Sequence, residues 1–500
     1  MSLRQLLCAS AVLLSAAMPA AAQAPSSHWQ TQVAAPNGGR AMAQAMTGRN
    51  EVPATRSPRD AGPTIGLAEL ADRANAAHPQ VRQAEAGKDA ARYSLRDAYL
   101  GFAPRANIVF DKGKERLNVI RSDNFLYQLG VNNFRNQGYT LEVVQPIFDP
   151  RLFAQLHGAY ATLRRARDEL TAARQRTLFD LMQSYLTTLA AYDGYQVARA
   201  EEETLARQMA EVQTRHRLGL ASDGDADEVE ARLRAAEAQR MAAAASLNEN
   251  FASLERRAGI RVGPLAPLAA RIPMALPNPA SADAWVREAR AHNVDLRALE
   301  SATTEARAQA ETQAAALLPR LDLRLTQDRS DNGGTIYGGG STINDRTLLF
   351  RLTVPLFNPD GAGYPVFAAR ARYQASTYRL EDQRLEVEEK VRTAFEEVVA
   401  NTRRDQALVR ALGAQTRIVA GKRARYAAGT LPIKDVLDSE RDLYQAQRNL
   451  LAARYNYLLN LMMLKRLAGD FAEADLLYID SALDRHATPV RRLVGEGRDD

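Results

Sequence analysis

Val144-Gln145-Pro146-Ile147-Phe148-Asp149 is answered by Thr353-Val354-Pro355-Leu356-Phe357-Asn358, a shift of 355 − 146 = 209 residues. Each stretch reads as a strand ending at a proline, with a long helix after it. Working outward, the order helix, proline, alternating strand, loop, strand, proline, long helix, glycine turn, helix runs from about Leu67 to Gly259 and recurs from about Ala282 to Gly469. Ala77-His78 and Pro104 fall opposite His292-Asn293 and Pro319, a shift of 319 − 104 = 215. Gly219 and Ala258-Gly259 fall opposite Gly429 and Ala468-Gly469, a shift of 429 − 219 = 210. The shift changes only across the variable loop and, by one residue, after the second strand, where gaps are best tolerated. The chain is duplicated, and the repeated unit is mainly helical with a small β part.

Arg4, the apolar run Leu6 to Leu14 and the small residues Ala16 to Ala22 form a secretory signal over 1–22. A leader rich in Pro, Ala, Gly, Ser and Arg, without apolar period, follows over 23–63 and reads as disordered. The single cysteine, Cys8, lies within the signal, so a mature chain has no disulfide, thiolate metal site or cysteine nucleophile. Past the signal, no apolar run reaches the roughly 18 residues that a membrane-spanning helix needs. Entry into a bilayer would have to be as strands. Arg320 to Thr326 and Phe350 to Leu356 alternate apolar and polar residues, and Ala106 to Phe110 and Tyr139 to Ile147 do so less cleanly. Tyr139 to Ile147 spans nine residues, Arg320 to Thr326 and Phe350 to Leu356 seven each, and the shorter first one, Ala106 to Phe110, five, against roughly 9–11 for a tilted outer-membrane strand. Asp111 to Gly138 and Gln327 to Arg346 are expected to be long polar loops. Soluble hairpins packed on helices fit the same alternation.

Between Pro150 and His216 there is no further proline and apolar residues recur at helical spacing. A continuous helix of that extent would be about 100 Å long, a strut rather than part of a globule. In the second repeat Leu443, Leu450, Tyr457 and Leu464 stand at sevens, with Ala446, Ala453, Asn460 and Leu467 between them: a coiled-coil seam with many small residues. One chain supplies four strands, whereas the smallest closed membrane barrels use eight and lipid tolerates no open edge. Several copies must share one barrel, and two or three copies both satisfy the count.

The run Arg425-Tyr426-Ala427-Ala428-Gly429-Thr430-Leu431-Pro432-Ile433-Lys434-Asp435-Val436-Leu437-Asp438, continued by Leu443-Tyr444, Ala453 to Leu458 and Leu467-Ala468-Gly469, resembles the carboxy-terminal repeat of the TolC family of outer-membrane efflux proteins. Gln145 to Asp149 is similar to that family's strand-to-helix junction, and Leu67 to Pro104 to its opening helix. The resemblance covers roughly 65–485 and is densest over 425–469. It implies a homotrimer: a twelve-stranded transmembrane β-barrel, four strands per chain, joined to a long-helix coiled-coil barrel across the periplasm. It further implies a periplasmic adaptor and an inner-membrane ABC transporter or proton-driven pump as partners, for type I protein secretion or drug efflux, and no enzymatic activity. The division expected is a first repeat over 64–259, a linker over 260–281, a second repeat over 282–469, and an equatorial segment with a mobile tail over 470–500. An exported, soluble coiled-coil scaffold remains the alternative.

By the same resemblance Asp435 and Asp438 match the aspartates ringing the periplasmic entrance. At i and i+3 they share a helix face, so three chains would present six carboxylates that favour cations and could bind divalent ions, despite a formal charge of +6. Acids in a first helical turn are also favoured by the helix dipole alone. Tyr426 and Asp225 match a gate-closing pair, while Leu431 stands where the family places an arginine, with Lys434 nearby. Gly219 and Gly429 are expected to turn one helix into the next at the periplasmic tips, with Ser222 and Thr430 as N-caps. The six histidines show no metal-ligand spacing, Gly338-Gly339-Gly340 lacks the Gly-Lys-Ser of a phosphate loop, and basic residues interleave with acids. No cofactor, metal or nucleic-acid partner is therefore expected.

Overall fold

The computed structural model describes residues 66–493 except 122, 124–128, 270–271, 335–338, 357–362 and 485–486. The expected signal and leader, and the Phe357-Asn358 end of the second junction, lie outside these residues. Helices α1 (Leu67–Ala77) and α2 (Pro79–Leu100), strands β1 (Arg105–Val119) and β2 (Gly130–Phe148), and helices α3 (Pro150–Arg217) and α4 (Asp223–Ala258) come first. The same order returns as α5 (Ala282–His292), α6 (Val294–Ala315), β3 (Arg320–Asn332), β4 (Ser341–Thr353), α7 (Tyr364–Ala427) and α8 (Ile433–Ala468), followed by α9 (Glu473–Ser481).

The opening helix, expected as one piece, is two. His78 precedes a proline, which biases its backbone away from the helix, and its Nδ1 accepts the Gln80 N–H at 3.3 Å to start α2. At the equivalent break Asn293 Oδ1 accepts the Leu296 N–H at 2.9 Å. The strut α3 is unbroken over 68 residues, opened by Asp149, whose carboxylate accepts the Arg151 N–H. Its N-terminal half packs on α2 and α6 through Arg174–Glu85 and Arg165–Glu305, and its C-terminal half on α4 and α8.

The strands form one antiparallel sheet in the order β1-β2-β3-β4. They are longer than the alternation predicts. Asp111 pairs with Gly138 and the ladder continues to Val119 opposite Gly130, while β3 and β4 pair out to Asn332 opposite Ser341. Beyond Phe110 polar residues occupy both faces, so the period-two signal vanishes although the backbone ladder persists. Residues 111–119, 130–138, 327–332 and 341–346, expected as loop, are therefore strand.

Register sorts the sheet into two faces. Ile108, Phe110, Leu141, Val143, Leu323, Leu325, Leu348 and Phe350 share one, and Phe350 is 70% exposed. The opposite face carries Glu142, whose carboxylate accepts from Arg324 at 2.6 Å, and Asp328, which accepts from Thr140 at 2.7 Å. An apolar exterior and a polar interior are what a membrane barrel with a wet lumen requires. No described helix is long and apolar enough to cross a membrane.

The largest core lies midway along the struts, where Phe179, Tyr185 and Leu189 of α3 meet Phe251 of α4 and Tyr457 and Met462 of α8. The heptad Tyr457 also holds the 260–281 connection, its hydroxyl donating to the Ala275 carbonyl at 2.9 Å and accepting the Ala275 N–H at 3.0 Å. Asp480 of α9 reaches back to accept the Leu67 N–H at 2.7 Å and the Ala68 N–H at 3.1 Å, capping α1. Part of the tail expected to be mobile packs on the 260–281 connection. Leu483 and Val490 bury their apolar side chains and bridge to Leu268 and Leu265.

Candidate functional site

Both long hairpins reverse in the same way. Gly219, at φ +72°, donates to the His216 carbonyl while Leu220 donates to Arg215; Gly429, at φ +74°, donates to Tyr426 while Thr430 donates to Arg425. This pair of bonds satisfies the last carbonyls of α3 and α7 and needs a left-handed residue, which glycine supplies without strain. The helices that follow start differently. Ser222 caps α4, its Oγ accepting the Asp225 N–H at 3.2 Å while Asp225 Oδ2 accepts the Ser222 N–H at 3.1 Å, a reciprocal box. Thr430 does not cap α8, contrary to expectation: its hydroxyl donates to Arg425, closing α7, and Pro432 occupies the N-cap without a side-chain bond. Replacing Ser222 by Ala is expected to cost about 1 kcal/mol of stability. Melting of the two proteins followed by circular dichroism measures it, and equal midpoints would deny the box any role.

The two tips pack side by side around Leu205, Val212, Val229, Ile433, Val436 and Leu437. That packing brings all six sequence-selected residues to one end of the molecule. Tyr426 lies under the Arg215 guanidinium, 4.5 Å from its ring centre. Burial raises its phenol above the ordinary value; Arg215 opposes the rise, and Glu211 and Asp225 add to it. No hydrogen bond joins Tyr426 to Asp225 within the chain, whose carboxylate serves the capping box instead. Leu431 adds its side chain to the tip cluster.

Asp438 is not a bare carboxylate. Lys434 donates to it at 2.7 Å and Arg232, from the other repeat, at 2.8 Å, with Arg441 at 4.0 Å. Those hydrogen bonds hold its carboxyl down at about 2. Arg232 also binds Glu228 at 2.8 Å. Applying the shift of 210 to Asp435 and Asp438 lands on Asp225 and Glu228, since 435 − 225 = 438 − 228 = 210. Arg232 therefore bridges the equivalent acids of the two repeats. Sequence reading missed this residue; carrying the repeat shift through the acids would have exposed Glu228, and its helical neighbour four residues on, as candidates. Asp435, half-buried one turn earlier, takes no ion pair among the described residues, and its backbone carbonyl accepts from Lys422 at 3.1 Å. Among the described residues no three His, Cys, Asp or Glu side chains gather as a metal site within one chain.

A model of the outer membrane efflux protein family matches residues 70–259 and again 285–470. The chain belongs to this family. The alkaline protease secretion protein AprF of Pseudomonas aeruginosa is 29% identical over 71% of this chain and 74% of its own length. The outer membrane protein TolC of Vibrio cholerae is 25% identical over 83% of this chain and 93% of its own. In fold, the outer membrane protein VceC of Vibrio cholerae superposes with a TM-score of 0.67 at 19% identity, covering 81% of this chain and 96% of that one. As an outer membrane efflux protein the chain is an export channel of the outer membrane that extends into the periplasm. The soluble-scaffold alternative falls with that assignment.

Proposed function

We propose that three copies close one twelve-stranded barrel over a continuous helical tunnel, and that the paired tips form its periplasmic entrance. The observation that carries this reading is the sheet itself: β1 and β4 each leave an unpaired edge, while the face between them is apolar and exposed. The apolar face calls for lipid rather than water, and lipid does not admit the open edges unless β4 of one copy pairs with β1 of the next. Asp435 and Asp438 then ring the entrance, and Tyr426, whose hydroxyl has no hydrogen bond among the described residues, would link to Asp225 of a neighbour. The working partners are a periplasmic adaptor and an inner-membrane ABC transporter or proton-driven pump. AprF and PrtF of Dickeya chrysanthemi are both named for protease secretion, which favours type I protein export as the task.

Cysteine pairs placed across β1 and β4 test the assembly, because the mature chain contributes no thiol of its own. Oxidation in outer-membrane fractions is expected to give covalent trimers. Recovery as a water-soluble monomer, or crosslinks that stop at dimers, would sink the reading. Tyr426→Phe is expected to leave the melting temperature unchanged and to raise the conductance of the resting channel in a planar bilayer. Unchanged conductance would remove Tyr426 from the latch.

A further inference from the structure

The two faces of the sheet differ in charge as well as in polarity. Register places Lys112, Lys114, Arg116, Arg135, Arg329 and Arg346 on the same face as Phe110, Leu141 and Leu348. All six are exposed, and none has an ion-pair partner among the described residues. Asp331 is the only acid in strand register with them, hydrogen-bonded to Gln137 at 3.0 Å. The lumen face shows the reverse: Asp111, Glu115, Glu142, Asp322, Asp328 and Asp345 against Arg105, Arg320, Arg324 and Arg351. The outward face is thus +5 per chain and the inward face −2, although the strands are contiguous in sequence.

On each strand the cations lie on the loop side of the apolar run, spread in register from Arg346, level with Ile108, to Arg116. Along β1 the apolar residues Ala106, Ile108 and Phe110 come first from the helical end, and Lys112, Lys114 and Arg116 follow on the same face toward the hairpin loop. On β3 and β4 the apolar run ends at Leu325 and Leu348, and Arg329 and Arg346 lie beyond it. Since the helices occupy the periplasmic side, this border belongs to the outer leaflet. Long basic side chains at such a border keep their stems on the apolar surface and their charges among headgroups. Arginine forks in addition match phosphate geometry.

We propose that this outward belt binds the phosphate groups of anionic lipid in the outer leaflet, so that the barrel carries a shell of phosphorylated headgroups around its outer rim. The occupant follows from charge complementarity and from continuity with the lipid-facing band. A protein partner would have to sit on a surface whose lower edge is already immersed in lipid.

The test uses the full-length protein in detergent, with diphosphorylated lipid A as the probe and phosphatidylcholine as the neutral comparator, bound lipid being counted by native mass spectrometry. Wild-type protein is expected to retain lipid A in preference to phosphatidylcholine and to lose it at high salt. A variant carrying Lys112→Gln, Lys114→Gln, Arg116→Gln and Arg135→Gln is expected to bind lipid A at least about tenfold more weakly. Arg105→Gln with Arg351→Gln, on the lumen face, is expected to bind as wild type does. Equal retention of the two lipids by wild-type protein, or retention of lipid A unaltered by salt, overturns the proposal without reference to any variant. Undiminished binding by a quadruple variant with native circular dichroism overturns it independently.

Discussion

Gly469→Ala is expected to prevent normal assembly of the chain, whereas the same change at its repeat equivalent, Gly259, is expected to be mild. Both glycines end a helix in the left-handed region, at φ +80° and +69°. An alanine in that conformation costs about 1–2 kcal/mol at either site. At Gly259 nothing lies within 4 Å of the new methyl, and the cost stops there. At Gly469 the added carbon would lie 2.2 Å from the His292 carbonyl oxygen and 2.6 Å from its carbon. These are backbone atoms at the α5–α6 junction, which is fixed by Asn293 donating to the Leu467 carbonyl at 2.8 Å and cannot swing away. Overpacking of this kind adds roughly 1–3 kcal/mol or more. Thermal melting in detergent and yield in outer membranes of the two variants compare the sites directly, and equal losses at both would contradict the close approach.

Asp438→Asn is expected to move the entrance toward anions, and Arg232→Gln toward cations. The acids Glu228 and Asp438 meet Arg232, Lys434 and Arg441, with Asp435, unpaired among the described residues, one turn away, so the charges at the proposed ring nearly balance. Removing the Asp438 carboxylate leaves Lys434 without its partner and Arg232 with Glu228 alone, while removing Arg232 frees two carboxylates from one neutralising partner. Reversal potentials of single channels in a salt gradient are expected to shift in opposite directions, with a severalfold change in permeability ratio. If neither variant moves the reversal potential, these residues do not line the path. If only Asp438→Asn does, the ring stands but Arg232 does not balance it. The acid range gives a further check. Asp438 has a folded value near 2, below the roughly 3.9 of an unfolded aspartate, so its contribution to stability is present above the latter and lost as pH falls through the former. Its share of selectivity is therefore expected to be flat from pH 8 to about pH 4.

The duplication was legible because glycines and prolines mark places where the backbone itself is constrained. Gly219 and Gly429 stand at matching turns, and His78 and Asn293 at matching helix starts. Strand length was not legible past Phe110, since side chains such as Lys112 and Glu115 face water or headgroups on one side and a wet lumen on the other. Both sides are polar there, and period two disappears while the ladder continues. Thr430 misled for another reason: a hydroxyl beside a turn can serve the helix behind as readily as the one ahead, and here it closes α7. Arg232 could not be picked out locally, being one arginine among many on α4. Its role arises from Asp438, 206 residues later, which only the packing of one tip on the other brings within reach.

The cap that Asp480 places on α1 bears on how the molecule comes into being. A carboxylate 413 positions downstream secures the amide of Leu67, so the first helix cannot be anchored until nearly all of the chain has been delivered across the inner membrane. Maturation must wait for the last residues to emerge, and the earliest segments need shelter from premature self-association in the interval.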